Sequence, residues 1–310
     1  MKLRQRASLP PDHPGRRPAA RVAALLAAAL LLSPAWAGAQ ETTAALAVPR
    51  VGPLEGVVLA AGGGTLGPEI WARFVDEAGG EASRIVLIPT AATDEEFAGD
   101  PTVLRALSDA GATSVVVLHT RDRTLADSES FVAPLREATG VWISGGRQHR
   151  LVEAYLDTRV QEALFEVLQR GGIVGGSSAG ASILASFLVR GDPETNERVM
   201  SAEYRTGFGF LDRAAVDQHL LARGRQEDLW SVLDLRPELL GIGVDEGTAV
   251  VVQGDVAEVL GTSQVIFYDA TGPERRRELL EGGDLFDLLK RIPLTGDVNL
   301  ETAGAAAASH

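Results

Sequence analysis

Cysteine is absent from the 310 residues. That excludes disulfides, a thiolate nucleophile and any cysteine-ligated metal site. Basic side chains are in deficit, with 29 Lys and Arg against 42 Asp and Glu and a net charge of −13. A chain of that sign has no basis for non-specific binding to nucleic acid or to an anionic membrane. Histidine is scarce as well. Of the five, His13 and His310 lie at the ends, so His119, His149 and His219 are the only candidates for imidazole chemistry. No apolar run reaches the ~18 residues that a membrane-spanning helix needs.

The N-terminus reads as an address. Lys2, Arg4, Arg6, Arg16, Arg17 and Arg21 precede an apolar run over residues 22–32, and Ala37-Gly38-Ala39 follows it. A basic head, a short apolar run and a small-x-small exit describe a secretory signal peptide over 1–39. The Arg16-Arg17 pair leaves a twin-arginine route open. Cleavage after residue 39 would leave 23 basic and 41 acidic residues, a net charge of −18. The expected product is a soluble protein exported to the periplasm or beyond, with no stable membrane insertion. Residues 40–54 lack periodicity and read as a linker.

From residue 55 the order becomes regular. Short apolar strands are expected at Val57-Val58-Leu59-Ala60-Ala61, Ile85-Val86-Leu87-Ile88, Val115-Val116-Val117-Leu118, Gly140-Val141-Trp142-Ile143 and Ile173-Val174. Amphipathic helical patterns lie between them, the first opened by Pro68 at the favoured N-terminal position. Continuous apolar strands alternating with helices predict an α/β fold, a doubly wound and mostly parallel sheet covered on both faces. Closely spaced strands at 240–244, 249–252 and 265–268 predict antiparallel C-terminal additions to one sheet edge. One domain over 55–290 accounts for this, with 291–310 as a tail.

Two glycine-rich turns compete for the chemistry. Gly62-x-Gly64-x-x-Gly67 follows a strand and precedes a helix, as in dinucleotide-binding turns. The second strand, however, ends without the acid that would hold a ribose, since Asp94 and Glu95 lie in the loop beyond. A tight strand–helix turn is therefore expected there, and no cofactor. Gly176-Ser177-Ser178-Ala179-Gly180 fits the G-x-S-x-G nucleophile elbow, with Ser178 at the tip. The oxyanion hole would combine the backbone N–H of Ala179 with one from the Gly145-Gly146 loop, Gly146 being the candidate. A serine nucleophile needs a base, and spacing alone does not choose among the three histidines.

The elbow, Gly191-Asp192-Pro193-Glu194-Thr195-Asn196, Asp217-Gln218-His219 with Arg223-Gly224-Arg225, Gly145-Gly146-Arg147-Gln148 and Gly241-Ile242-Gly243-Val244-Asp245-Glu246 together resemble the cyanophycinase-like serine peptidases, relatives of dipeptidase E. The resemblance spans about 57–270. It implies a flavodoxin-like sheet as in the class I glutamine amidotransferases, with no metal or organic cofactor. It also implies Ser178 as nucleophile, His219 as general base and then acid, and Glu194 as the carboxylate behind the histidine, with Glu197 as a fallback. Gln148, Asp217, Gln218, Arg223 and Arg225 match positions that line the family's substrate pocket. Arginines there can grip a substrate carboxylate, and Asp217 could accept from a cationic group.

Two positions depart from the pattern. Asp228 stands where cyanophycinases carry an arginine, and Arg147 where they carry an acid. If Asp228 faces the pocket, a substrate carboxylate would be repelled. The expected activity is an exported serine exopeptidase that releases β-Asp-Arg dipeptides from cyanophycin or acts on a related isoaspartyl or Asp-containing peptide. The alternatives are a serine esterase of α/β-hydrolase type and a non-catalytic binding protein on the same fold. Whether it forms a homodimer is left open.

Overall fold

The computed structural model describes residues 50–93 and 101–294. The expected signal peptide, most of the linker and Asp94 and Glu95 lie outside the described residues. Five parallel strands form one side of a nine-stranded sheet: β1 (Val57–Ala61), β2 (Ile85–Ile88), β3 (Val115–Val117), β4 (Gly140–Ile143) and β5 (Ile173–Ser177). They lie in the order β1-β5-β4-β2-β3.

Successive strand residues feed opposite faces of this sheet. Val58, Ala60 and Val174 pack on one side with α4 (Glu129–Glu137), α5 (Gln148–Tyr155) and α6 (Arg159–Gln169). Val57, Leu59 and Ile173 pack on the other with Ile70, Phe74 and Val75 of α1 (Pro68–Glu77) and Val103 and Leu107 of α2 (Pro101–Asp109). Helices cover both faces of these strands, so the continuous apolar strands and the amphipathic helices specify one another. Between α2 and α4 a short α3 (Arg123–Ala126) is capped by the Asp122 side chain, which accepts from the N–H groups of Thr124 and Leu125. The fold is the expected doubly wound, flavodoxin-like α/β class.

The C-terminal strands divide differently from the expectation of one extended edge. β9 (Thr248–Gln253) does add antiparallel to β1, and β10 (Val256–Gly261), β13 (Leu285–Asp287) and β14 (Ile292–Leu294) extend that edge. β8 (Leu240–Val244) and β11 (Gln264–Asp269) instead belong to a second sheet, in the order β12-β11-β8-β7-β6. Its other strands are β6 (Ala185–Phe187), β7 (Leu211–Gln218) and β12 (Arg276–Glu281). β8 lies parallel to β7, not antiparallel to the main sheet. The reason is burial: all five residues of β8 are covered, which an edge position does not allow. Ala214, Val216, Ile242, Val244 and Phe267 of this second sheet share the core beside α7 (Ala179–Ser182), while Ala215, Ile266 and Tyr268 pack on α8 (Asp228–Leu233).

The expected boundaries also shift. Val51, placed in the linker by its sequence, is buried, and its N–H donates to the Asp255 carboxylate at 2.7 Å. β14 continues the ordered chain past residue 290. Among the described residues no helix is long and apolar enough to cross a membrane.

Candidate active site

The carboxyl ends of β1 and β5 in one sheet, and of β7 and β8 in the other, meet at one place. Ligands in open α/β sheets bind at such strand ends. β5 ends at Ser177, and Ser178 follows with φ 54° and ψ −115°. That conformation is costly for a residue with a Cβ and persists only where the surroundings impose it. Here the Ser178 N–H donates to the Ala61 carbonyl at 3.0 Å, and α7 begins at once. A Cβ on Gly176 would lie 2.4 Å from the Gly180 carbonyl oxygen. A Cβ on Gly180 would lie 2.0 Å from the Ile143 carbonyl oxygen, so one glycine lets the elbow close and the other lets it pack on the end of β4.

β7 ends at Gln218 and presents His219, which is buried and also has a positive φ of 54°. Its Nε2 lies 2.9 Å from the Ser178 Oγ. Its Nδ1 lies 2.5 Å from Oε1 of Glu246, which follows β8 and Asp245. A carboxylate only accepts, so Nδ1 carries the proton, and Nε2 accepts from the serine hydroxyl. Burial pushes the imidazole below its ordinary range; the Glu246 hydrogen bond pulls it up, the Arg223 charge pushes it down, and the net shift is downward. The histidine is thus held neutral at pH 7, as a general base must be.

The carboxylate behind the histidine is Glu246 and not the expected Glu194 or its fallback Glu197. Nδ1 has one proton to donate, and Glu246 takes it. Glu194 and Glu197 are exposed on the loop after Arg190. The Glu194 backbone N–H is bound by the Asp192 carboxylate at 3.0 Å, and the Glu197 N–H by the Thr195 hydroxyl at 3.1 Å. Glu246 was within reach of sequence reasoning, since it ends the Gly241-to-Glu246 stretch on which part of the resemblance rests.

The turn at 62–67 packs against this site. A Cβ on Gly63 (φ 105°) would stand 2.5 Å from the His219 Cε1, and one on Gly64 would stand 2.7 Å from Glu246 Oε2. The carbonyls of Ala61, Gly62 and Gly63 accept in turn from the N–H groups of Ser178, His219 and Gly247, at 3.0, 3.1 and 3.0 Å. Asp245 fastens the opposite side: its Oδ1 accepts from the N–H groups of Leu221 and Ala222, and its Oδ2 from the Ser263 hydroxyl.

The expected pocket residues separate into three kinds. Gln148 is buried, with no partner for either amide atom among the described residues, and Arg225 is buried with its Nε and Nη2 in the same condition. Gln218 is buried and committed, its Oε1 and carbonyl accepting from Arg225 Nη1 at 3.0 and 3.1 Å. Arg223 is exposed. Asp217 is not open to a cationic substrate group, because it is fully buried with both oxygens bound by Arg190 at 2.7 Å. Arg190 was not singled out in the sequence, since one arginine between apolar residues carries no pattern.

The same arginine answers the concern about Asp228, whose Oδ2 accepts from Arg190 Nη2 at 2.6 Å. Its charge is therefore met inside the protein. Arg147 is likewise engaged, its Nη2 donating to the Asp192 carbonyl at 2.7 Å.

Gly145 touches the nucleophile, its ideal Cβ position lying 3.2 Å from the Ser178 Cβ. This brings the Gly145-Gly146 loop beside the N-terminus of α7, where the Ala179 N–H has no acceptor within the helix. The other two histidines are elsewhere. His119 Nδ1 bonds the Thr90 hydroxyl at 2.9 Å, and His149 lies beside the Tyr204 ring. An apolar cavity of about 670 Å³ adjoins Gly64, Trp71, Val103 and Ser177, but Arg225 and Gln148 do not line it. Among the described residues no cluster of three His, Asp or Glu is placed to hold a metal.

Comparison with known proteins gives the family. The model of peptidase family S51 matches residues 58–260. A cyanophycinase from Geminocystis herdmanii is 34% identical over 207 residues, 66% of this chain and 75% of that protein. One from Nostoc sp. is 33% identical over 209 residues, 66% and 70%. Peptidase E of Streptomyces coelicolor is 28% identical over 214 residues, 67% and 82%. Among solved structures, a peptidase from an acI-B1 actinobacterium superposes with a TM-score of 0.61 at 23% identity, covering 77% of this chain and 97% of that one. The chain belongs to peptidase family S51, the cyanophycinase and dipeptidase E-like serine peptidases.

Proposed function

We propose that this member of family S51 is an exported exopeptidase that hydrolyses cyanophycin, or a related isoaspartyl or Asp-containing peptide, through an acyl-enzyme at Ser178. The observation that carries the reading is the unbroken chain of hydrogen bonds from Ser178 Oγ through His219 to Glu246. As the hydroxyl attacks the scissile carbonyl, its proton passes to His219 Nε2. Glu246 holds the tautomer and stabilises the imidazolium. The N–H groups of Ala179 and Gly146 receive the oxyanion, in the position where fixed donors lower the barrier most. His219 then protonates the leaving amine. Water, activated by the same imidazole, frees the acyl group and restores the serine.

Substrate choice rests on the unspent donors of Arg225 and the free amide of Gln148, which suit a carboxylate. The cyanophycinases at 33–34% identity supply the candidate polymer. Export rests on the basic and apolar pattern of residues 1–39.

The test is incubation with cyanophycin and chromatography of the products. β-Asp-Arg dipeptide is expected from the wild type and none from Ser178→Ala. A small fluorophosphonate should label Ser178 and no other serine; a failure to label overturns the covalent route. Cleavage of isoaspartyl peptides without release from cyanophycin would move the substrate to the second class named.

A further inference from the structure

Arg190 lies at the centre of a buried ionic cluster that the catalytic chain does not use. Its side chain is fully covered, and its backbone is held at φ 55°. All its donors are spent: Nε and Nη2 on the two Asp217 oxygens, Nη2 also on Asp228, and Nη1 on the carbonyls of Asn196 and Glu197. A buried guanidinium in that state does not bind substrate.

Arg225 is the opposite case. It is equally buried, but only Nη1 is engaged, with Gln218. Nε and Nη2, one edge of the planar fork, have no partner. Leaving charged donors buried and unmet costs more than leaving a neutral group so. Such an edge is the shape that takes a carboxylate by two parallel hydrogen bonds.

The nearest internal carboxylate is Asp217, whose Oδ1 stands 4.0 Å from Arg225 Nη1. A fully buried Asp217 without Arg190 would be an uncompensated charge, and Arg225 is the other guanidinium beside it. Arg190 prevents this by gripping both Asp217 oxygens, and Asp228 completes its hydrogen bonding from the partly exposed side, with 35% of its side chain accessible.

We infer that Arg190 is a positioning residue that withholds Asp217 from Arg225 and so keeps the Arg225 fork open for a substrate carboxylate. The inference rests on the proposed peptidase reading for the identity of the substrate, but not for the anion site itself.

Succinate, a small dicarboxylate, is the probe, titrated calorimetrically into the full chain. Arg190→Gln should weaken its binding by about tenfold or more, because Asp217 turns to Arg225. The double variant Arg190→Gln with Asp217→Asn removes the competitor and should return to within about threefold of wild type. Asp217→Asn alone should bind as tightly as wild type or more tightly, and Arg225→Gln should abolish binding. Arg190→Lys covers one Asp217 oxygen and should fall between; it serves as the test if the glutamine variant does not fold. With cyanophycin, the Arg190 effect should appear in KM and not in kcat.

An Arg190→Gln protein that binds succinate like wild type overturns the inference. So does a double variant as weak as the single one, or a wild type that gives no binding. If the succinate pattern holds while cyanophycin is not cleaved, the substrate assignment falls and the role of Arg190 stands.

Discussion

The turns after β1 and β5 are both glycine-rich, and their strands are neighbours in one sheet, yet they use glycine for opposite ends. After β5, glycine at 176 and 180 lets the backbone fold tightly enough to project one side chain, that of Ser178. After β1, glycine at 63 and 64 makes room for side chains that come from elsewhere, His219 and Glu246. At the second turn three carbonyls in succession, those of Ala61, Gly62 and Gly63, fix the backbone at Ser178, His219 and next to Glu246. One turn carries the proposed nucleophile; the other aligns Ser178 with His219 and Glu246. A glycine pattern states that space is needed, and only the fold states what fills it.

The comparison is sharpened first by breaking the projecting turn. Ser178→Ala should lower kcat on the order of 10⁴-fold or more, with KM little changed, measured by dipeptide release. Glu246→Gln keeps the shape but loses the charge behind the imidazole and should cost about 10³–10⁴-fold. Gly63→Ala tests the aligning turn. Its methyl would have to displace the His219 ring from a backbone position at φ 105°, and a shift near 1 Å in a catalytic group costs about 10²-fold. If Gly63→Ala has wild-type kcat, the turn is not an aligning device and the comparison fails.

Much of the first turn was legible in the sequence, because G-x-S-x-G encodes its own local geometry. Four of the parallel strands, β1, β2, β4 and β5, were legible for a similar reason: strands covered on both faces are apolar without interruption, and the helices between them repeat at the helical period; β3 is apolar although Val116 and Val117 are exposed. The second sheet was not. β7 begins Leu211-Asp212-Arg213, with the aspartate exposed, and its partner β8 is separated from it by a helix, so no local period announces the pairing. Glu246 was quoted but not assigned, since a carboxylate's partner depends on two strands from different parts of the chain ending side by side. Arg190 and its grip on Asp217 left no trace at all, for the contact joins residues 27 apart through the core.

Acid sensitivity provides a smaller effect with a definite sign. His219 must be neutral to act, and its pKa is lowered in the folded protein, chiefly by burial. The acid limb of kcat/KM should therefore fall below the ordinary histidine value of about 6.5. Arg223 holds the imidazole down, so Arg223→Ala should move that limb upward; Glu246 pulls it up, so Glu246→Gln should move the residual activity's limb downward. The same depressed pKa adds an increment of stability above about pH 6.5 that is lost as pH falls through the folded value, because the unfolded chain then binds a proton that the folded one resists. A limb above 6.5 in the wild type would show that desolvation does not dominate at His219.

The smallest effect is expected at Glu194, and it discriminates between two carboxylates. Glu194 is exposed, and its fixed contact is the backbone N–H to Asp192 at 3.0 Å, which an alanine retains. The loop's anchor is the Asp192 side chain, which also binds the Thr195 N–H and pairs with Arg198. Glu194→Ala should then change kcat by no more than about twofold and stability by no more than about 0.5 kcal/mol, as for exposed positions generally. Measured beside Glu246→Gln on the same substrate, the two variants should differ by about three to four orders of magnitude. Equal losses would mean that the loop closes over His219 during turnover and that Glu194 exchanges places with Glu246. A loss at Glu194 alone would return the orienting role to the residue that the resemblance first suggested.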